Sequence, residues 1–239
     1  MFRPQQIKRF ESTLIEYRDI AKDVREFIFS TPQDITFTPG QFITIFFSRN
    51  NQRYRRQYSI KSTPHTTKQV HIIVKYVANG PGSDYLWSLH KNDTVDVMMP
   101  LGVFVIRDEQ KQFDLTFLAT GTGVAPFLSM IESLLLDGFQ KNITLIVGYR
   151  HELLCHDMLE KLSQMYPKFT YIPTLTKPLD PHYTGRVGRI QEVLTEIEPS
   201  IDQQSEFYIC GLYAMIQDVG LLLKKMGRES KKIHFERYD

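Results

Sequence analysis

A glycine turn between an apolar segment and an amphipathic segment constrains the fold of this chain more than any other stretch. Residues 113–119 (FDLTFLA) are apolar and aromatic, which predicts a buried strand. Residues 127–135 carry apolar side chains at helical spacing until Asp137 and Gly138 interrupt the pattern, which predicts a helix of about three turns. Between them, residues 121–126 (GTGVAP) place Pro126 in the first turn of the helix, where a missing N–H costs least.

A strand that turns through glycines into a helix directs free backbone N–H groups and a positive dipole toward one place. A diphosphate suits that place. The turn departs from the G-x-G-x-x-G motif because Pro126 stands where the third glycine would be. For these residues alone, a turn that merely joins two packed elements therefore stays an alternative.

The length and composition of the chain set the broad class. Its 239 residues allow one large or two modest domains, and 42% hydrophobic with 23% charged residues is typical of a soluble protein. A net charge of +2 gives no general reason to expect nucleic-acid binding. No apolar window is long enough for a membrane span, and residues 1–10 lack the apolar core of a signal peptide. We therefore expect a cytoplasmic protein.

The numbers and spacing of cysteine and histidine residues limit the redox cofactors that the chain could hold. The two cysteines, Cys155 and Cys210, form no C-x-x-C motif, whereas four thiolates are the usual ligands of an iron–sulfur cluster. The seven histidines show no H-E-x-x-H or comparable spacing, so we expect no metal site. Redox chemistry in this chain would require an organic cofactor.

The first half of the chain predicts an antiparallel barrel of short strands. Segments rich in β-branched and aromatic residues are separated by Gly, Pro and Asn turns, at residues 13–17, 24–29, 41–47, 70–77 and 94–99. One short helix is expected among them, with Ser83 as its N-cap and Tyr85, Leu86 and Leu89 facing inward.

Residues 55–62 (RRQYSIKS) form a basic, tyrosine-containing motif within this half. On a strand, Arg56 and Tyr58 would share one face, while Gln57 and Ser59 would share the other. A guanidinium offers paired donors to a phosphate, a phenol offers a flat ring face, and a hydroxyl offers one directional hydrogen bond. A solvated edge strand with a half-buried tyrosine is the alternative interpretation.

The second half alternates strands with helices, which predicts parallel βαβ units. Strands are expected at residues 113–119, 143–148, 169–175, 207–210 and 233–235, and helices at residues 126–136, 157–166, 189–197 and 213–226. Ligands bind such sheets at the carboxyl ends of their strands. The glycine turn, Arg150 and Cys210-Gly211 all follow predicted strands and should line one crevice.

Together these residues resemble the ferredoxin–NADP reductase-like flavoprotein superfamily, and the resemblance covers nearly the whole chain. Because the chain has only two cysteines, it resembles the single-flavin members of this superfamily that lack an iron–sulfur domain. The motifs stand in the family order: Pro39-Gly40-Gln41-Phe42, Arg56-Gln57-Tyr58-Ser59, Gly80-Pro81-Gly82-Ser83, residues 121–126, Cys210-Gly211 and Glu236-Arg237-Tyr238.

The resemblance implies two domains. Residues 1–110 would form an N-terminal antiparallel Greek-key β-barrel that binds FAD, and residues 111–239 would form a C-terminal α/β parallel-sheet domain that binds NADPH or NADH. Arg56 would pair with the flavin diphosphate, and Tyr58 would lie against the isoalloxazine ring. Gly82 and Ser83 would bind flavin phosphate through their backbone N–H groups.

The resemblance also implies the catalytic set. Ser59 would hydrogen-bond near flavin N5, and Cys210 would sit near nicotinamide C4, although a cysteine that ends a buried strand is often only a small hydrophobe. Tyr238 would stack on the flavin face that the nicotinamide must occupy, and Glu236 would position the ring or handle protons. The full cofactor-binding set is Arg56, Gln57, Tyr58, Ser59, Val74, Lys75, Gly80, Gly82, Ser83, Gly121, Thr122, Gly123, Val124, Pro126, Arg150, Arg186, Cys210, Gly211 and Tyr238.

By this resemblance the protein is a reductase that passes a hydride from NAD(P)H to FAD and then single electrons to a carrier such as ferredoxin or flavodoxin. A free-flavin or ferric reductase, or a non-turnover electron-transfer subunit of a larger complex, are the alternatives. Arg150 and Arg186 favour NADPH over NADH if they contact the 2′-phosphate, and solvated surface charge is the alternative. A basic docking face for the carrier is expected from Arg49, Arg53, Arg55, Lys224, Lys225, Arg228, Lys231 and Lys232.

Overall fold

The computed structural model of the chain describes residues 6–32 and 35–238. They fall into two compact units. The first takes in the chain up to Val105 together with Ala125–Ser133, and the second takes in Ile106–Val124 and the chain from Leu134 onward. The domain boundary expected after residue 110 stays a prediction.

The first unit is an antiparallel six-stranded sheet. Its strands are β1 (Lys8–Ala21), β2 (Val24–Ser30), β3 (Phe42–Arg49), β4 (Gln52–Ser59), β5 (Gln69–Lys75) and β6 (Thr94–Leu101), in the order β4-β3-β6-β1-β2-β5. The sheet curls until its two edges meet, because Ile60, directly after β4, forms an antiparallel bridge with Ile72 of β5. The predicted barrel fold is confirmed.

Every second side chain along these strands points into the core of this unit. Phe27 and Phe29 of β2, Ile43 and Ile45 of β3, and Ile72 of β5 are all fully buried. Burying each such side chain contributes about 1.5–3 kcal/mol, which makes this core the main source of stability of the unit.

The short helix α1 (Pro81–Ser88) begins earlier than the sequence suggested. Gly80 is its N-cap, and Pro81, whose fixed φ suits the first helical position, starts the helix. Ser83 therefore lies inside the first turn, and its assignment as N-cap is wrong. Its hydroxyl donates to the Val77 carbonyl oxygen at 2.9 Å and accepts from the Val77 N–H at 3.1 Å, so it closes the loop before the helix.

The second unit is a parallel α/β fold. Its strands are β7 (Leu115–Thr120), β8 (Ile143–Tyr149), β9 (Phe169–Leu175), β10 (Glu206–Gly211) and β11 (Ile233–Arg237), in the order β11-β10-β7-β8-β9. Its helices are α3 (His156–Met165), α4 (Ile190–Ile197) and α5 (Tyr213–Lys225). The helix α2 (Ala125–Leu136) follows β7 in the chain, and most of its residues are counted with the first unit. The predicted alternation is confirmed.

The strand order of this sheet reverses at β7. The chain proceeds from β7 to β8 and β9 on one side, and then to β10 and β11 on the other. In such sheets the connections at the reversal diverge and leave a crevice at the carboxyl ends of the two central strands. The crevice between β7 and β10 is therefore where a ligand of this unit is expected.

Two of the basic residues expected on a docking face are structural. The Arg228 side chain is 1% exposed and pairs with Glu198 at 2.7 Å, while its guanidinium also donates to the Asp202 carbonyl oxygen at 2.8 Å. The Lys232 ammonium donates to the backbone and side-chain oxygens of Gln204, both at 2.7 Å. These cations hold the loop that follows α4, so their assignment to a docking surface is wrong.

Three charged or titratable side chains meet where the barrel closes, and we call Glu26, Lys61 and His71 the Glu26 cluster. The Glu26 carboxylate accepts from the Lys61 ammonium at 2.8 Å and lies 3.0 Å from His71 Nδ1. Although burial alone would raise the pKa of Glu26, its hydrogen bond with His71 and the charge of Lys61 lower that pKa to about 2. Glu26 is therefore ionised in the folded protein.

Acid is expected to destabilise the protein through Glu26. The pKa of this carboxyl falls from 4.5 to about 2 on folding, so its contribution is fully present above pH 4.5 and is lost as pH falls through 2. The shift limits this contribution to at most about 3 kcal/mol. Urea unfolding at several pH values should show that the stability difference between wild type and Glu26→Gln shrinks toward pH 2. A difference that does not change with pH would contradict this origin.

No helix in the described part of the chain combines the length and the apolar composition that crossing a bilayer requires.

Candidate functional site

In the first unit, the start of α1 lies directly against the basic motif of β4. A Cβ built on Gly82 would come within 2.8 Å of Arg56 Cγ and within 2.8 Å of the Tyr58 hydroxyl oxygen. Real Cβ atoms essentially never approach other atoms so closely, so a side chain at position 82 would require the Arg56 and Tyr58 side chains to move. The structure thus brings together the two motifs that the sequence assigned to flavin binding.

This contact gathers several hydrogen-bond donors that a ligand could use. The N–H groups of Gly82 and Ser83 lie in the first turn of α1, where no intrahelical carbonyl can accept from them. Among the described residues Arg56 has no carboxylate partner, and its guanidinium donates only to the Arg55 carbonyl oxygen at 2.8 Å. Donors arranged in this way suit a phosphate group.

Tyr58 supplies a ring and a neutral hydroxyl beside these donors. Burial raises the pKa of Tyr58 to about 12, while the nearby Arg56 charge opposes the shift. The phenol therefore stays protonated at neutral pH and can donate a hydrogen bond. A flat aromatic face next to phosphate-binding donors fits a cofactor that joins a ring system to a diphosphate, and the residues present therefore fit FAD.

The other candidates of the first unit differ in what they can contact. Ser59 is buried at the end of β4, and Gln57 is exposed opposite Thr44 of β3. Val74 points into the barrel core, so only its backbone can reach a ligand, whereas the Lys75 side chain is exposed at the end of β5. Gly80 precedes α1 as its N-cap.

In the second unit, the glycine turn packs against the end of β10. Gly121–Val124 forms a single 3₁₀ turn between β7 and α2. A Cβ on Gly123 would come within 2.8 Å of the Cys210 carbonyl carbon and within 3.0 Å of Gly211 Cα. Both motifs therefore meet in the crevice between β7 and β10. Of the remaining turn residues, Thr122 is half-buried, whereas Val124 and Pro126 are buried.

Cys210 lies beneath the end of the chain in this crevice. It stands in register with Glu236 of β11, and the Tyr238 N–H donates to the Gly211 carbonyl oxygen at 3.0 Å. Burial, with a smaller contribution from the Glu236 charge, raises the pKa of the Cys210 thiol well above its usual value, and a hydrogen bond with the Tyr238 side chain opposes this. The thiol is therefore neutral, and the Tyr238 side chain is within hydrogen-bonding reach of it.

The two arginines expected near a 2′-phosphate have different surroundings. Arg150 is exposed directly after β8, and its carbonyl oxygen accepts from the Lys177 N–H at 2.7 Å. His151 Nδ1 lies 2.7 Å from the Lys177 carbonyl oxygen. Arg186 instead forms a two-point ion pair with Glu196. Lys177 was missed from the sequence because only the β8–β9 pairing brings it beside Arg150.

Comparison with known proteins agrees with this geometry. The family model described as oxidoreductase FAD-binding domain matches residues 11–106, and the one described as oxidoreductase NAD-binding domain matches residues 117–220. Ferredoxin--NADP reductase B of Sorangium cellulosum is 31% identical over 244 residues, a match that spans 98% of this chain and 99% of that protein. The chain belongs to the ferredoxin–NADP reductase-like flavoprotein family.

This ferredoxin–NADP reductase-like chain also resembles longer proteins. The phenol hydroxylase P5 protein of Acinetobacter pittii is 28% identical over 236 residues, and the match spans 97% of this chain but 66% of that protein. Among solved structures, the Amycolatopsis cytochrome P450 reductase GcoB superimposes with a TM-score of 0.88 at 25% identity, covering 98% of this chain and 70% of that one.

A ferredoxin NADP+ reductase from Neisseria gonorrhoeae, solved with bound FAD and NADP, superimposes with a TM-score of 0.83 at 24% identity and covers 96% of this chain and 98% of its own. That likeness supports the two-part fold. The chain is an oxidoreductase with an FAD-binding domain followed by an NAD-binding domain.

Proposed function

We propose that this protein takes a hydride from NADPH or NADH onto FAD and passes single electrons to a separate carrier protein such as ferredoxin or flavodoxin. Bound FAD would accept two electrons together and release them one at a time, which nicotinamide cannot do. The observation that carries the proposal is the meeting of the glycine turn with Cys210-Gly211 at the strand-order reversal. The names of the relatives, a ferredoxin–NADP reductase and an aromatic-hydroxylase component, favour a protein acceptor.

The barrel residues would hold the cofactor. Arg56 and the N–H groups of Gly82 and Ser83 would bind its diphosphate, and the Tyr58 ring would support its isoalloxazine. Ser59 would donate its hydroxyl near flavin N5. The flavin-binding domain would take in residues 1–110, and the coenzyme-binding domain residues 111–239.

The crevice residues would bind and orient the coenzyme. The backbone N–H groups of the glycine turn would face its diphosphate, since Gly123 allows close approach to the end of β10. The neutral Cys210 thiol would offer a small, uncharged surface to the nicotinamide. Tyr238 would move aside when the nicotinamide binds, because its side chain contacts Cys210, and Glu236 would position the end of the chain.

A comparison of acceptors tests this function against its alternatives. The FAD-loaded protein should reduce ferredoxin or flavodoxin with NADPH faster than it reduces free FMN or ferric citrate at equal concentration. Faster reduction of free FMN or ferric citrate would favour a free-flavin or ferric reductase. Rapid turnover only with an added oxygenase component would favour a subunit of a larger complex, as the hydroxylase relative suggests. The cytoplasmic location stays a prediction.

NADPH is expected to be the better coenzyme, and Arg150 is expected to account for most of the preference. Arg150 and Lys177 are both exposed and are joined by a backbone hydrogen bond, and neither side chain has an acidic partner in the described part of the chain. Losing a charge-assisted hydrogen bond costs about 1.5–3 kcal/mol, so Arg150→Ala should lower kcat/KM for NADPH by at least about tenfold. The value for NADH should change little.

Arg186→Ala is the comparison variant, and it should have a smaller effect because Arg186 is already paired with Glu196. Steady-state kinetics with both coenzymes provide the measurement. A wild-type protein that prefers NADH would contradict the assignment of Arg150.

The carrier is expected to dock by charge on the barrel edge. Arg53 and Arg55 project from one face of β4, are exposed, and have no acidic partner among the described residues, whereas Arg49 pairs with Asp84 and Lys231 with Glu229. Charge reversal of Arg53 and Arg55 together should lower the second-order rate of carrier reduction about tenfold or more at low salt.

Reversal of Lys141 and Lys161, which are exposed in the second unit, changes net charge equally and serves as control. Stopped-flow rates over a range of ionic strength provide the readout. Equal slowing by the two double variants would count against a docking site on β4.

A further inference from the structure

The Glu26 cluster lies on the same side of the barrel wall as the flavin-binding strand end. Phe27 of β2, Ile72 of β5 and Ile60 point into the barrel core, so their neighbours Glu26, His71 and Lys61 point outward. Ser59 precedes Lys61 by two residues and therefore faces the same way, about 7 Å along the chain. Although they face outward, Glu26 and Ser59 are both only 6% exposed.

Backbone pairing fixes the cluster to this strand end. The Lys61 N–H donates to the His71 carbonyl oxygen at 2.8 Å, and the His71 N–H donates to the Ser62 hydroxyl at 3.1 Å. The backbone of Lys61 and His71 is therefore held at the closure of the barrel, two residues beyond Ser59 in the case of Lys61.

The charges of the cluster compensate one another while it is shielded from water. Glu26 is ionised, and the Lys61 cation balances it at 2.8 Å, with side-chain exposures of 8% and 14%. The Nε2 atom of His71 is buried and has no hydrogen-bond partner among the described residues. In surroundings of effective dielectric constant near 20, a unit charge left uncompensated within about 10 Å changes an equilibrium about tenfold or more.

We propose that the Glu26 cluster sets the midpoint potential of the flavin, because it holds the paired charges of Glu26 and Lys61 beside Ser59. The inference rests on the proposed flavin site. Transfer of a hydride from NADPH moves two electrons and one proton to the flavin and leaves NADP+, so the flavin gains one negative charge. An uncompensated cation near Ser59 favours that product, whereas an uncompensated anion disfavours it. Glu26 and Lys61 thus shift the midpoint potential in opposite directions. Both act on the flavin through their charges and not through the chemical step.

Two single variants separate this role from a merely structural one. At pH 8.5, Glu26→Gln should raise the flavin midpoint potential and Lys61→Met should lower it. Each shift should reflect about a tenfold change in relative affinity for reduced over oxidised flavin, or about 30 mV for a two-electron couple. The double variant, which restores neutrality, should return close to wild type.

Equilibration with a reference redox dye measures the potential, and thermal unfolding of the flavin-free proteins reports their stability separately. Asp96→Asn is the control, because it removes a carboxylate from an exposed ion pair with Arg9 on the same barrel and should leave the potential unchanged. Shifts of the same sign in both single variants, or unchanged potentials with flavin bound, would overturn the inference. If Glu26→Gln does not fold, the Lys61→Met variant decides: a lower midpoint potential supports the inference, and a higher or unchanged one overturns it. Failure of wild type to bind flavin would instead refute the proposed function.

Discussion

Replacement of Arg56 by alanine is expected to weaken FAD binding about a hundredfold or more. The guanidinium has no carboxylate partner among the described residues and stands against the start of α1, where two helix N–H groups are also free. A bidentate contact with a phosphate consists of charge-assisted hydrogen bonds of about 1.5–3 kcal/mol each. Because every 1.4 kcal/mol changes a dissociation constant about tenfold, losing both bonds gives the stated loss.

Titration of the flavin-free protein with FAD, followed by flavin fluorescence, measures this loss. Arg55→Ala is the matched control, because Arg55 lies on the opposite face of the same strand and should leave FAD affinity unchanged. Comparable FAD affinities for Arg56→Ala and Arg55→Ala would remove Arg56 from the flavin site.

Gly123→Ala is expected to lower kcat/KM for NADPH by about a hundredfold or more. The new Cβ would come within 2.8 Å of the Cys210 carbonyl carbon and 3.0 Å of Gly211 Cα. Both neighbours are backbone atoms of a central strand, so the turn must move instead of a flexible side chain. A displacement of about 1 Å in a positioning element can cost about a hundredfold in rate.

Gly220→Ala tests whether this effect is specific. Gly220 lies within α5, and a Cβ there would meet nothing within 4 Å, so the substitution should be neutral or stabilising by about 0.5–1 kcal/mol. Steady-state kinetics should be accompanied by FAD content and thermal unfolding, since the barrel should retain its flavin. A Gly123→Ala protein with wild-type coenzyme kinetics would show that the turn does not contact the coenzyme.

The sequence predicted the elements well because their signals are local. The positive φ angles of Asn50 and Asn51, 51° and 59°, form the turn that their residue types favour. The apolar pattern after Gly123 likewise predicted a helix at residues 126–136, and α2 ends at Leu136 as expected. The start of α1 was misplaced because two local signals compete there, and the fixed φ of Pro81 outweighs the capping preference of Ser83.

What the sequence could not predict is pairing between distant residues. Arg228 reads as a surface cation until the fold places it among the carbonyl groups of the loop after α4. Glu26 and His71 have no motif; the antiparallel register of β2 and β5 brings them together, and the bridge between Ile60 and Ile72 brings Lys61 beside them. The fold therefore decides which charged residues are structural and which remain available for ligands.

A single-turnover experiment tests whether this protein passes electrons from NADPH through FAD to a one-electron carrier. The FAD-loaded protein is mixed anaerobically with one equivalent of NADPH and then with excess oxidised ferredoxin or flavodoxin, while flavin and carrier absorbance are recorded separately. NADPH should bleach the flavin, and each flavin should then recover its absorbance as it reduces about two one-electron carriers. Flavin that NADPH leaves oxidised, or reduced flavin that transfers no electrons to either carrier, would contradict it.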